Sequence, residues 1–472
     1  MSAAEFDLAI IGAGTAGLTI AAVAARLGVK VALIERDQMG GDCLNYGCVP
    51  SKALLAAAHR AATCGNGAAL GVRFGAPEID WSAVQAHVRG AIARIAPNDS
   101  EERFRGLGAA VFRAEARFID PVSLDLGGQR IAARRFVIAA GSRTMVPNIP
   151  GLHPLNPLTN TTIFSLQEKP EHLIILGGGP IGLEMAQAFS CLGCRVTVVE
   201  AARIAGKEDP ELADALRAVL IQQGVTIRER TAVASAVPGP VLVLPKGERL
   251  IGSHILVAAG RQPNIEDLGL EAGGIQASPA GVATDRGLRS VTNKRVFAAG
   301  DIADPQGLGP RVFTHLAAYH AGIVIRRALF RLPARLDYRS LPRVTYTDPE
   351  LAQIGPTEAE ARAAGAAVSI ARWPLAENDR AITEGGSPGM VKLVISRGRL
   401  LGAGVLAPHA GEMAGLFALA IQHHISLTTL AGMILPYPTL AEAAKRAAAE
   451  FSAPRLFAPR VKGVVQYLLR LP

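Results

Sequence analysis

The chain has 472 residues, 49% hydrophobic and 19% charged, which leaves room for several domains, about three at ordinary domain size, each with a sizeable core. Five cysteines are too few and too irregularly spaced for a secreted disulfide scaffold, and they fit a reducing, cytoplasmic compartment, where a disulfide is usually catalytic. The net charge of +9 is dispersed along the chain, which argues against a nucleic-acid partner.

The first apolar stretch, Leu8 to Ile34, is neither a signal peptide nor a membrane span. Glu5 and Asp7 precede it where a signal peptide carries basic residues, three glycines interrupt it, and Arg26 and Lys30 lie inside it. Its pattern is a strand, then G-x-G-x-x-G (Gly12, Gly14, Gly17), an alanine-rich helix and a second strand ending in Glu35. In such a unit the first glycine permits a tight turn, the second lets backbone approach a pyrophosphate, and the third lets helix pack on strand. The helix N-terminus then faces the phosphates with unpaired N–H groups. Glu35, 23 residues after Gly12, is placed to accept hydrogen bonds from a ribose.

GGDCLNYGCVPSK follows, with Cys43 and Cys48 as metal ligands, a structural staple, a redox pair, or merely two buried thiols. A regular helix would set them about 7.5 Å apart along its axis and on different faces. A disulfide needs Cα atoms within about 6.8 Å, so the pair can close only where the backbone is irregular. Gly47 and Pro50 supply that irregularity, and a helical pattern then runs through KALLAAAHRAA. A strained pair at a helix start, where the dipole favours thiolate, suits reversible redox chemistry.

HLIILGGGPIGLEMAQAFSCLGCRVTVVE repeats the nucleotide unit, with Gly177, Gly179 and Gly182 as the glycines and Glu200 as the acid. Two units imply two dinucleotides or one split arrangement. An acid at the strand end favours a free 2′-hydroxyl, hence NADH over NADPH, although Arg203 nearby leaves room for NADPH. Cys191 and Cys194 form a C-x-x-C that could be imagined as half of a four-thiolate zinc site. They fall where a helix ends at Gly193 and a strand begins, so packing is the stronger reading; no metal site is assigned, and Cys64 is given no role.

The order of first fingerprint, C-x-x-x-x-C and second fingerprint resembles the pyridine nucleotide–disulfide oxidoreductases, whose members include dihydrolipoamide dehydrogenase, glutathione reductase and mercuric reductase. VIAAGSRTMVPNIPG, ILVAAGRQPN, RVFAAGD and VTYTDPELAQIGPTEAEA extend the resemblance over essentially the whole chain. It implies an α/β fold with two Rossmann-like domains, for FAD and NAD(P), and a C-terminal α+β dimerisation domain. The FAD domain would comprise residues 1–149 and 275–340, the NAD(P) domain 150–274, the dimerisation domain 341–450 and a basic tail 451–472. The FAD contacts implied are Gly12, Gly14, Gly17, Glu35, Lys52, Ala116, Gly141, Arg143 and Asp301. Those for NAD(P) are Gly177, Gly179, Gly182, Glu184, Glu200 and Gly260. Electrons would pass from NAD(P)H through FAD to the Cys43–Cys48 disulfide, with Cys48 nearer the flavin and Cys43 facing the acceptor. Lys52 would lie near the flavin, paired with Glu184, and two such chains would form a homodimer.

The chain departs from the family's H-P-T-x-x-E at LPYPTLAEA, where Tyr437 replaces the base and Glu442 keeps the glutamate position. A phenol near pKa 10 exchanges protons poorly at neutral pH, which disfavours lipoamide or glutathione. His423 and His424, adjacent on an expected helix, are poor substitutes. Tyrosine there is similar to mercuric reductase, but no metal-binding C-x-x-C precedes the flavin unit and no vicinal cysteine pair ends the chain. The acceptor is therefore left as a metal ion, a quinone-like molecule or a disulfide. The alternatives are a dihydrolipoamide dehydrogenase with an altered base, and a membrane-docked redox sensor with little turnover. Pro454 and Pro459 break the C-terminal chain, after which Val461, Val464, Val465, Leu468 and Leu469 fall at helical spacing opposite Lys462, Gln466 and Arg470. Residues 459–472 are thus a candidate peripheral contact at the inner membrane face, weighed against packing on the dimer or flavin domain.

Overall fold

Apolar runs without polar alternation form parallel strands buried on both faces. In the computed structural model, which describes residues 4–66, 70–73, 75–386 and 388–472, Phe6–Ile11 lies parallel to Val31–Glu35, Leu8 opposite Val31 and Ile11 opposite Ile34. The helix Thr15–Arg26 crosses between them. Ala110–Arg113 extends the sheet on one side and Arg130–Ile138 on the other. Val296–Ala298, which follows the second nucleotide unit in the chain, pairs parallel with Arg130–Ile138. Two short antiparallel strands, Arg117–Asp120 and Ser123–Asp125, complete seven.

The repeat builds a four-stranded parallel sheet in the order Thr226–Arg228, Arg195–Val199, His172–Leu176, His254–Val257. Its crossing helix is Pro180–Cys191. A five-stranded antiparallel sheet follows, ordered Pro342–Thr345, Glu350–Ile354, Arg399–Ala407, Met390–Ser396, Ser369–Pro374. Helices Ala410–Gln422 and Glu442–Leu456 pack on it. The α/β class with two nucleotide-type sheets and an α+β C-terminal unit is the one expected from the sequence.

Packing between these units positions the site. The helix Cys48–Asn66 lies on Pro180–Cys191, and Leu54, Leu55 and Ala58 share one core with Leu183 and Phe189. Each such fully buried Leu or Phe contributes roughly 1.5–3 kcal/mol. The helix Thr314–Ala328 packs on Thr15–Arg26. Ser142–Thr144 and Arg261–Pro263 pair antiparallel where the chain leaves and re-enters the flavin-type unit. A buried ammonium ties the second nucleotide unit to the C-terminal sheet: Lys392 Nζ lies 2.9 Å from Asp209, 3.0 Å from Glu211 and 3.1 Å from Glu358.

Two expectations are corrected. Pro454 does not break the chain; it sits inside Glu442–Leu456, where the missing N–H affects only the last turn. That helix also runs through the boundary placed at residue 450. His423 and His424 do not lie on a helix, because Ala410–Gln422 ends before them and His424 has φ +54°. Among the described residues, no helix is long and apolar enough to cross a membrane.

Lys392→Met should strand the buried Asp209, whereas Glu211 keeps Arg372 and Glu358 keeps Arg362. Breaking a buried pair costs about 3–5 kcal/mol, so we expect a lowered urea midpoint for the second nucleotide and C-terminal units; an unchanged midpoint would show that the cluster is dispensable.

Candidate active site

Cys43 belongs to the short helix Gly41–Asn45, and Cys48 opens Cys48–Asn66. The break is at Tyr46, with φ −136° and ψ 2°, and at Gly47, where a Cβ would come within 3.0 Å of the Asp42 carbonyl and 3.3 Å of Cys43 Cα. A side chain at 47 would therefore crowd the turn that brings the chain back on Cys43. Both cysteines are free thiols, Cys43 half-buried and Cys48 exposed. Cys48 Sγ lies 3.2 Å from the Thr314 hydroxyl.

These neighbours separate the two thiols electrostatically. A hydrogen bond from Cys43 draws the Cys48 thiol down to about 6, against the effect of burial and with help from Thr314 and the Lys52 charge. The same hydrogen bond, with burial, pushes Cys43 far above the ordinary thiol value. Of the two, Cys48 is the thiol that ionises more readily and Cys43 the one that holds its proton. Cys191 and Cys194, with no such donors, are pushed up to about 11 by burial.

One turn after Cys48, Lys52 Nζ lies 2.8 Å from Glu184 Oε2. Glu184 is 4% exposed, and its other oxygen accepts the Tyr346 N–H at 3.0 Å. The Tyr346 ring lies under the ammonium, 4.4 Å from Nζ. A partly buried cation is thus held beside the thiolate by one carboxylate and one aromatic face.

The two glycine loops are built alike. Gly12 (φ +104°) and Gly177 (φ +114°) adopt a conformation that L side chains resist, and a Cβ on either would strike the carbonyl of Ala139 or Ala258. Gly17 and Gly182 pack so closely that a Cβ would meet the carbonyl of Gly12 or Gly177. Gly14 and Gly179 begin helices with no side-chain cap, leaving first-turn N–H groups for a ligand. Glu35 accepts from Ala13 N at 2.6 Å and Asp37 N at 2.8 Å; Glu200 accepts from Gly178 N at 2.7 Å and Ala202 N at 2.8 Å. Each carboxylate is held rigidly at its loop. These cradles and fixed acids fit a dinucleotide at each unit. Arg203 is drawn into an ion pair with Asp214.

A polar chain ties the cysteine segment to both units. Arg261 reaches Asp42 at 3.2 Å and donates to the Ser142 hydroxyl and carbonyl, both at 2.8 Å. Ser142 in turn donates to Asp301 at 2.6 Å, whose carboxyl burial pushes up. Gly300, the residue before Asp301, donates its N–H to His320 Nδ1 at 3.1 Å, while His320 Nε2 meets the Tyr338 hydroxyl at 2.7 Å. Burial holds His320 down to about 4, so it is a neutral acceptor. Gly141 accepts from Asn264 N at 3.0 Å, and Gly260 from Met145 N at 3.0 Å. Ala116 is buried. Arg143 forms a two-pronged pair with Glu266, both contacts at 2.8 Å, holding that carboxyl down to about 2.

Tyr437 and Glu442 lie on the C-terminal unit. Tyr437 is 69% exposed and its hydroxyl donates to Asp379 at 3.0 Å. His424 accepts from Arg339 at 2.9 Å. Sequence reasoning gave no role to Thr314, Tyr346, Arg261, Ser142 and His320; Ser142, Arg261 and Tyr346 lie inside VIAAGSRTMVPNIPG, ILVAAGRQPN and VTYTDPELAQIGPTEAEA, which was a signal for them, whereas Thr314 and His320 share one helix downstream of RVFAAGD.

The pyridine nucleotide-disulphide oxidoreductase family profile matches residues 6–322, and the profile of that family's dimerisation domain matches residues 341–448. Mercuric reductase of Streptomyces lividans is 38% identical over 95% of this chain and 96% of its own. Dihydrolipoyl dehydrogenase of Geobacillus stearothermophilus is 32% identical over 94% and 96%. Among solved structures, the Cu(II) complex of the HOCl-induced flavoprotein disulfide reductase RclA from Escherichia coli superposes with TM-score 0.84 at 27% identity, covering 94% of this chain and 99% of that one.

Because its thiol is drawn down to about 6, Cys48 should be alkylated by iodoacetamide as thiolate above that pH, and slowly below it. Thr314→Val and Lys52→Met each remove a stabilising neighbour, so peptide mapping should give a profile moved to higher pH in both. Unmoved profiles would contradict the assigned causes.

Proposed function

Because the chain belongs to the pyridine nucleotide-disulphide oxidoreductase family, whose members use FAD and NAD(P)H, we propose that it reduces a soft metal ion with electrons from NAD(P)H, NADH favoured. Gly12, Gly14, Gly17, Glu35 and Asp301 would hold FAD, and Gly177, Gly179, Gly182 and Glu200 the nicotinamide dinucleotide. FAD, when bound, supplies the two-electron relay between nicotinamide and cysteines. The chain's own residues do the rest. Lys52, held in place by Glu184, and Thr314 stabilise the Cys48 thiolate in the reduced pair. Cys43 carries the proton and, once ionised, captures the acceptor. Capture of the ion releases the Cys43 proton to solvent; two electrons then pass from the pair to the ion, reducing it, and the Cys43–Cys48 bond closes.

One observation carries the choice of acceptor: Tyr437 stands in the position of the family's imidazole. Its hydrogen bond to Asp379 raises the phenol further above its ordinary value, so it cannot serve as a base at neutral pH. A disulfide acceptor needs proton transfer at that step, whereas a soft metal ion binds thiolate directly. The similarity to mercuric reductases supports Hg(II) as the first ion to test.

The dimerisation domain supports a homodimer, and the helix Pro459–Leu468 supports a further contact. In the single chain this helix buries no residue, and Val464, Val465 and Leu468 are 57%, 48% and 54% exposed. We assign that apolar face to the second subunit. Ending the chain at Leu456 should weaken dimerisation in sedimentation; intact dimerisation together with lost binding to anionic vesicles would assign the face to a membrane.

With Hg(II) and excess free thiol, NADH oxidation should fall roughly 100-fold or more in Cys43→Ser while dye reduction persists. Tyr437→His should raise lipoamide turnover by roughly 100-fold, the lower end of what general acid–base catalysis supplies. Lipoamide turnover by the native chain that exceeds Hg(II) turnover would reverse the assignment.

A further inference from the structure

Six arginines converge on a cavity of about 780 Å³ that lies apart from the cysteines and from both glycine loops. Arg135 comes from the strand Arg130–Ile138, Arg286 and Arg289 from the turn after Gly281–Thr284, Arg327 from the end of Thr314–Ala328, and Arg331 and Arg335 from the segment that follows. Asp285 is the one carboxylate lining it, and it is committed: it takes Arg327 at 3.1 Å and accepts the N–H groups of Gly287 at 2.8 Å and Arg289 at 3.0 Å. Six guanidinium groups against one carboxylate leave a local excess of five positive charges.

Part of the lining is rigid. Arg135 is half-buried and donates to the Ala328 carbonyl, and Arg289 Nε donates to Lys294 O at 2.6 Å. Both keep further N–H groups for a ligand. Arg286, Arg331 and Arg335 are exposed and have no carboxylate partner among the described residues. Burial and the neighbouring Arg331 and Arg289 charges lower the Arg135 pKa, the signature of like charges crowded together. Such crowding destabilises the fold until an anion relieves it. Guanidinium forks match phosphate oxygens two at a time, and the volume lies in the range of small-molecule sites. Basic residues elsewhere are dispersed, so nothing extends the cavity into the stripe that a nucleic acid would need.

We propose that this cavity binds a small molecule carrying several phosphate groups, either an inorganic polyphosphate or the polyphosphate arm of a nucleotide. The site stands at the opposite end of one helix from the redox pair. Thr314, the first residue of Thr314–Ala328, touches Cys48, and Arg327 near its end lines the cavity, roughly 20 Å away at 1.5 Å per residue.

The test is calorimetric titration of the FAD-loaded protein, with NAD⁺ saturating the nicotinamide site, by orthophosphate, inorganic triphosphate and ATP. Triphosphate should bind saturably and at least tenfold more tightly than orthophosphate, with affinity falling as salt rises. Equal affinity for ATP identifies the phosphates as the whole ligand, and tighter ATP binding adds a nucleoside; either supports the site. The double variant Arg286→Glu, Arg331→Glu should weaken triphosphate at least tenfold, leave NADH-dependent dye reduction unchanged and, by relieving repulsion, not lower the unliganded Tm. Absence of saturable binding up to millimolar triphosphate, or equal binding in the double variant, would overturn the proposal.

Discussion

An ammonium and a carboxylate, 2.8 Å apart between Lys52 and Glu184, join the helix that begins at Cys48 to the helix that follows the second glycine loop. Glu184 is almost wholly buried, so separating the pair would leave an uncompensated charge in the interior. Tyr346, from the strand region that opens the C-terminal sheet, closes the group with its N–H and its ring. Three parts of the chain therefore meet at one charge pair. The angle between the two helices, the seating of the C-terminal unit and the field at Cys48 are set together.

That field explains why cysteines in one chain behave differently. Cys48 has a thiol donor, a hydroxyl and a cation nearby and is drawn down to about 6, whereas burial dominates at Cys191 and Cys194, where Asp348 adds to it at the first and Lys169 only partly offsets it at the second, and both are pushed up to about 11. Residue type is the same; solvation and donors differ. The two nucleotide units show the converse. Different sequences reach one arrangement, in which a strand-end glutamate accepts an N–H from the glycine loop and another two residues beyond itself.

The two glycine fingerprints, the break at Gly47 and the strand-end acids were legible because each is a local pattern whose meaning lies in adjacent residues. Thr314 was not, since its contact with Cys48 spans 266 positions and leaves no periodic trace. Nor was the Arg261, Ser142 and Asp301 chain, which forms only when two short strands pair across the unit boundary. The reading of Pro454 as a break weighed local propensity above packing: the buried Ala443, Ala444, Ala447 and Ala448 hold the helix on the sheet, and it continues past a proline that removes one bond near its end. The six arginines looked like dispersed charge in sequence because four segments bring them together. Tyr437 was conspicuous for the opposite reason: it departs from a pattern otherwise matched around it.

The central claim is that Cys43 and Cys48 form a pair that NADH reduces. Anaerobic titration of the FAD-loaded protein with NADH, followed by absorbance and by thiol labelling with peptide mapping, addresses it most directly. The account predicts that the first equivalent yields new thiols at Cys43 and Cys48 together with a long-wavelength band from thiolate against oxidised flavin. Bleaching of the flavin by that first equivalent, with no new thiol at either cysteine, would contradict it.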